Sequence, residues 1–251
     1  MSTAESRKRF AVVTNLRDKT YKPRSSRSRW AIVSTFAAIA GFSARSSMSA
    51  LVWSLGIAAV TMVYGFTEKP PSRGEICTKF VSSSASEVSA KQFVEKHTLN
   101  RYEGVNILVG DESGEWYYRS STCSRATKLD PGVYVFSNTN LHNASWKCDR
   151  AKNKILKLLQ DTKRNEEDFL ITSLLNVLND ETPRPLNAKI PLPDSGYGDD
   201  LEQKLSSIRI PHANDYGTRS QYIAVQRSSG KVRVITRDFE NNKWHYDDVI
   251  L

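Results

Sequence analysis

Between Ser46 and Thr67 the chain carries no charged side chain, and the stretch Ala50–Phe66 (ALVWSLGIAAVTMVYGF) is almost wholly apolar. A helix needs roughly 20 such residues to cross a hydrocarbon core, so the run predicts one membrane span, Ala50 to Phe66. The preceding block Trp30–Ala44 (WAIVSTFAAIAGFSA) is short for a second span, and the junction at Arg45 leaves little loop for a helical hairpin. Ahead of it, Arg7, Lys8, Arg9, Arg17, Lys19, Lys22, Arg24, Arg27 and Arg29 face only Glu5 and Asp18. Positive charge beside a span keeps that side cytosolic, which would carry residues 68–251 across the membrane. Two other readings stand beside the span. An Arg- and Ser-rich, acid-poor start followed by apolar residues fits an organellar transit peptide, and residues 30–67 read equally as an apolar insertion into a fold that resumes after them.

The charge map excludes one class of function. Of the formal net charge of +9, residues 1–29 carry +7 and Arg45 one more, leaving about +1 on residues 68–251. A body so nearly neutral has no excess with which to neutralise a phosphate backbone, so no nucleic-acid partner is expected. Cys77, Cys123 and Cys148 form no CxxC pair, and an odd count suits a reducing compartment such as the cytosol. His97, His142, His212 and His245 are scattered, without ligand spacing, so no metal site is expected. Asn143–Ala144–Ser145 is a glycosylation sequon that matters only in a lumen.

Residues 68–75 (EKPPSRGE) mark a boundary, because two prolines cannot continue a helix. Short helices are predicted over Glu75–Val81 and Ser86–His97 from the spacing of Ile76, Phe80, Val88, Phe93 and Val94. A hairpin is predicted from GVNILV and EWYYR around the turn GDESG, and a second from Ala126–Leu129 and Val133–Phe136 around Asp130–Pro131–Gly132. Two amphipathic helices follow, Asp149–Thr162 and Glu166–Leu178, the latter with Asn165 as N-cap. Residues 180–198 hold four prolines and two glycines and read as a surface loop. Gln221–Arg227, Lys231–Phe239 and Trp244–Ile250 complete a three-stranded meander. Strands, then helices, then strands define an α+β class with helices laid on antiparallel sheet.

No nucleophile elbow, Walker loop, dinucleotide fingerprint or kinase set is present. Four stretches nevertheless resemble the transport and Golgi organisation protein two family, also called the NRDE family. They are RFAVVTNLRD (Arg9–Asp18), LDPGVYVFSNTNLHNASWKC (Leu129–Cys148), LITSLLNVLNDE (Leu170–Glu181) and DYGTRSQYIAVQRSSGKVRVITRDFE (Asp215–Glu240) followed by Trp244. The resemblance implies a truncated N-terminal-nucleophile-hydrolase-like αββα sandwich, with residues 1–29 contributing a family strand and 68–251 the main domain. Family members begin Met-Cys and carry the NRDE motif soon after, whereas this chain begins MSTAESRKRFAVVTN. A terminal nucleophile whose own amine is the base is therefore missing from the pattern, and no enzymatic activity is expected in this form. The resemblance places Asn15, Asn138 and Arg219 at a pocket, where amides would face an oxyanion and a guanidinium would hold a carboxylate.

What the resemblance implies for function is a non-catalytic role in Golgi organisation and protein secretion, with haem mobilisation, and hence haem as ligand, for some members. His142 and His212 are the loop histidines nearest the family motifs. The alternatives are an N-terminal-nucleophile amidohydrolase, or an inactive variant tethered to a membrane by Ala50–Phe66. Localisation follows the same division: membrane or Golgi and secretory system, with cytosol or mitochondrion as the alternative.

Overall fold

The structure is a computed structural model. It describes residues 8–17 and 36–43 as strands, residues 76, 79 and 80, and residues 88–250 apart from 103–104, 111–114, 124, 138–139, 144, 161–166, 194–197, 213–216 and 227–230.

Among the described residues, runs rich in Val, Ile, Ala and aromatic residues supply nine strands, all paired antiparallel. Strands β1 (Lys8–Arg17), β2 (Phe36–Ser43), β6 (Val133–Phe136), β7 (Thr218–Gln226), β8 (Lys231–Asp238) and β9 (Lys243–Ile250) form one sheet in the order β6-β2-β1-β7-β8-β9. Strands β3 (Asn106–Gly110), β4 (Trp116–Ser120) and β5 (Thr127–Leu129) form a second, smaller sheet. The chain adds α1 (Ala90–Lys96), α2 (Trp146–Gln160), α3 (Glu167–Leu178) and α4 (Asp199–Lys204).

Alternation along the strands divides the apolar residues among three cores. Leu108, Trp116, Tyr118 and Leu129 of the small sheet meet Phe136, Ala224 and Val232 of the large one. The other face of the large sheet presents Val135, Ile223, Val225 and Ile235 to Cys148, Ala151 and Ile155 of α2 and to Leu174, Val177 and Leu178 of α3. On the outer face of the small sheet, Ile107, Val109 and Tyr117 pack on Phe93 and Val94 of α1. Helices α2 and α3 thus cover the large sheet, the two sheets face each other, and α1 covers the small sheet.

Two expectations are corrected. Among the described residues no helix is long and apolar enough to cross a membrane, so the predicted transmembrane helix is not part of this mixed helix and antiparallel-sheet fold. Ala50–Phe66 itself lies outside the described residues. The earlier apolar run supplies β2, whose Ala37–Ala40 pair with β1 on one side and β6 on the other. A short continuous apolar run fits a strand or a helix alike, and composition alone does not separate the two. The second correction concerns Asp130–Pro131–Gly132, which joins strands that do not pair. β5 pairs with β4, and β6 with β2. The chain passes there from the small sheet to the large one, with Tyr134 Oη donating to Asp130 O at 2.8 Å.

Candidate functional site

Of the residues that the sequence singles out, Asn15 lies near the end of β1, opposite Phe36 on β2 and Gln221 on β7. Arg219 lies at the start of β7. The register between β1 and β7 shifts there, from Leu16↔Ser220 to Arg17↔Thr218, so Arg219 is the extra residue of a β-bulge. Bulges of this kind re-aim side chains next to functional sites. Arg219 is exposed and forms a 3.8 Å ion pair with Glu240. Asn138 lies outside the described residues. Phe136, which ends β6, is level with Ala37 of β2, and Ala37 with Thr14 of β1. The backbone therefore brings Asn15, Arg219 and the exit of β6 to the same end of the large sheet.

A different place offers a cavity. An open cleft of about 450 Å³ lies where β5, β6 and the start of α2 meet, with Leu129, Val133, Val135 and Leu141 as apolar lining. Its polar lining includes Lys128, His142, Cys148 and Lys152. That volume and mixed lining lie within the ordinary range of small-molecule sites. Lys128 is tied to Glu115 by a surface ion pair.

One lining residue of the cleft, Leu141, is tied to a buried polar chain. Tyr118 Oη donates to Asn106 Oδ1 at 2.6 Å and accepts from Leu141 N at 2.9 Å, while Asn106 Nδ2 donates to Ser137 O at 3.2 Å. This stitches the small sheet to the loop after β6 and fixes Leu141 and His142 at the rim. The His142 ring stands edge-on to Tyr118, with centroids 6.5 Å apart. Burial pushes the Tyr118 hydroxyl up to about 12, against a smaller opposing effect of its hydrogen bonds. Burial also raises the Cys148 thiol, the Ser137 and Ser145 hydroxyls and Lys147 countering it only in part. A thiol held protonated is a weak nucleophile and a poor metal ligand.

At the C-terminal end of α3, Asp180 accepts from Arg150 Nε at 2.6 Å and pairs with Lys154 Nζ at 2.5 Å. Burial would raise its carboxyl, but Arg150, Lys154 and Thr182 outweigh that and hold it below the usual carboxylate range. This joint secures α2 against the end of α3 and so positions one wall of the cleft. Sequence reading missed Tyr118, Asn106 and Cys148 as site residues. The available signal was alternation in EWYYR, which turns Trp116 and Tyr118 toward the large sheet and Tyr117 toward α1.

The fold and cleft define a class: two facing antiparallel sheets between helices, with an open cleft of mixed polarity at one rim. Residues 56–241 match the family described as Transport and Golgi organisation 2. Among curated proteins, the chain is 27% identical over 182 residues to the Transport and Golgi organization 2 homolog of Mus musculus, covering 68% of the chain and 64% of that protein. It is 31% identical over 180 residues to the Transport and Golgi organization protein 2 homolog of Homo sapiens, covering 66% of the chain and 61% of that protein. The chain belongs to the Transport and Golgi organisation 2 family, a family named for Golgi organisation and transport. It spans under two thirds of the length of these relatives, and the family match begins inside the apolar stretch.

Proposed function

We propose that the chain is a non-catalytic, ligand-binding member of its family that serves Golgi organisation and protein secretion, and that the cleft between β5, β6 and α2 holds its ligand. The observation that carries this reading is the cleft itself: apolar walls, a rim on which Lys128 and Lys152 stand with Asp149, and a buried thiol. Such a lining suits a flat apolar body with anionic substituents. Haem, which the family resemblance implies for some members, has that chemistry. Leu129, Val133, Val135 and Leu141 would face the ring, Lys128 and Lys152 would meet carboxylates, and His142 offers an imidazole of the kind that holds haem iron. Cys148 is the weaker ligand because its thiol stays protonated.

The test is a haem titration of the full chain followed in the Soret region. A saturable shift at stoichiometric protein, weakened about tenfold or more in His142→Ala, is the expected result. Absence of a shift removes haem, and a shift unaffected by His142→Ala removes the cleft as its site. Asn15, Asn138 and Arg219 are proposed to line a separate polar pocket, on the resemblance together with the common sheet end that Asn15, Arg219 and the β6 exit occupy. For the cellular role, co-localisation of the tagged protein with a Golgi marker and a secretion defect on its loss are expected. Normal secretion after complete loss would contradict that role.

A further inference from the structure

Toward β8 and β9, at the same strand end as Asn15, the large sheet carries an arginine and aromatic cluster that the cleft does not use. Across the large sheet, Asn15 stands opposite Gln221, Gln221 opposite Arg237, and Arg237 opposite Trp244, so these four form one row. Directly opposed residues share a face of the sheet, with Cβ atoms about 5 Å apart. The Arg237 guanidinium lies 4.3 Å from the Phe239 ring centroid and 4.9 Å from that of Trp244. Arg209 lies 4.5 Å from the same Phe239 ring.

The two arginines differ in their counter-ions. Arg209 reaches Glu181 at 2.7 Å. Arg237 has no acidic partner among the described residues, its Nε is buried without a hydrogen-bond acceptor, and burial and the charge of Arg209 together lower its pKa. The nearby carboxylates are engaged elsewhere: Asp238 accepts from Glu240 N and Asn241 Nδ2, and Glu240 faces Arg219. Beside Arg237, Gln221 is only 1% exposed. Its Nε2 donates to Leu178 O and Asn179 Oδ1, but its Oε1 accepts nothing. A buried donor and a buried acceptor, each without a partner, thus stand on cross-strand neighbours, an arrangement that folded proteins generally avoid unless something completes it.

We propose that Arg237, Arg209 and Gln221 form a binding site for a small oxyanion that also carries a hydrogen-bond donor, such as a hydrogen phosphate group or an α-hydroxy carboxylate. The oxyanion meets the Arg237 guanidinium, whose planar fork matches carboxylate and phosphate geometry. The ligand's own hydroxyl donates to Gln221 Oε1. Arg209 adds a second positive charge across Phe239, and the aromatic rings exclude water from one side of the pair. A ligand lacking the donor leaves Gln221 Oε1 unsatisfied and is discriminated against for that reason.

Titration calorimetry on the full chain at low salt tests this with four probes: inorganic phosphate against sulfate, and lactate against acetate. Saturable binding of phosphate, lactate or both is expected, each at least about fivefold tighter than its donor-lacking counterpart. Phosphate alone assigns the site to phosphate groups, and lactate alone to hydroxy acids. Arg237→Gln should weaken binding about tenfold or more. Arg125→Gln, an exposed residue far along the chain that removes the same charge, should leave it unchanged. Arg237→Lys keeps the charge, supports folding if the Gln variant does not fold, and should lose most of the affinity with the fork. Absence of binding by all four probes overturns the proposal. So does equal affinity within each pair, or equal affinity in the Arg125 and Arg237 variants.

Discussion

Tyr118 concentrates at one hydroxyl the connection between the small sheet and the loop that forms the cleft rim, through Asn106 Oδ1 and Leu141 N. Tyr118→Phe removes both bonds at a buried position, and a loss of about 1–3 kcal/mol in denaturant unfolding is expected. Its hydroxyl titrates near 12 in the fold against 10.0 for an ordinary tyrosine. A group whose folded pKa is raised stabilises fully below its unfolded pKa and ceases to as pH passes the folded value. The Tyr118 contribution is therefore intact below pH 10 and disappears between about 10 and 12, and the Phe variant should lack this alkaline loss. Gly217 shows a constraint of space. A Cβ there would stand 2.6 Å from the His212 backbone Cα, so Gly217→Ala should destabilise by about 1–3 kcal/mol in the same assay. Neither environment is legible in the sequence, where Tyr118 is one of two adjacent tyrosines and Gly217 reads as a turn residue.

Individual elements were more legible than their partners. Apolar spacing points to a helix over Ser86–His97, and the structure places the shorter α1 there, starting at Ala90 with Ser89 as N-cap in a capping box with Gln92. Ser89→Ala should cost about 1 kcal/mol, visible as faster amide exchange in the first turn of α1. At the other end Arg119 donates to the carbonyls of Val94, Glu95 and His97, a long-range cap that no local pattern announces. The joint between α2 and α3 has a pH signature of opposite sign to that of Tyr118. Because the folded Asp180 carboxyl is held below its usual range, its contribution is present above about pH 4 and is lost as pH falls toward the depressed value. Asp180→Asn should remove that acid-limb dependence in pH-resolved unfolding. The meander β7-β8-β9 and the hairpin β3-β4 were legible from alternation and turn residues. The separation of β5 from β6 was not, since Asp-Pro-Gly chemistry specifies a turn and not which strands pair across it.

At the scale of the whole molecule, apolar composition gave the least secure guide. The run that includes β2 read as part of a membrane-related or inserted block, yet Phe36–Ser43 lies inside the large sheet between β1 and β6. Which apolar stretch is an interior strand depends on long-range pairing, and periodicity over a short run does not report it. The family was legible from local stretches, while the cleft was not, because it arises where β5, β6 and α2 converge from separate parts of the chain. The reading of the molecule as a ligand-binding family member rests on that convergence. Hydrogen–deuterium exchange of the full chain with and without haem tests it most directly. Protection confined to peptides spanning 127–135 and 141–152 is the predicted result. Unchanged exchange there, or protection found only elsewhere, would contradict the account.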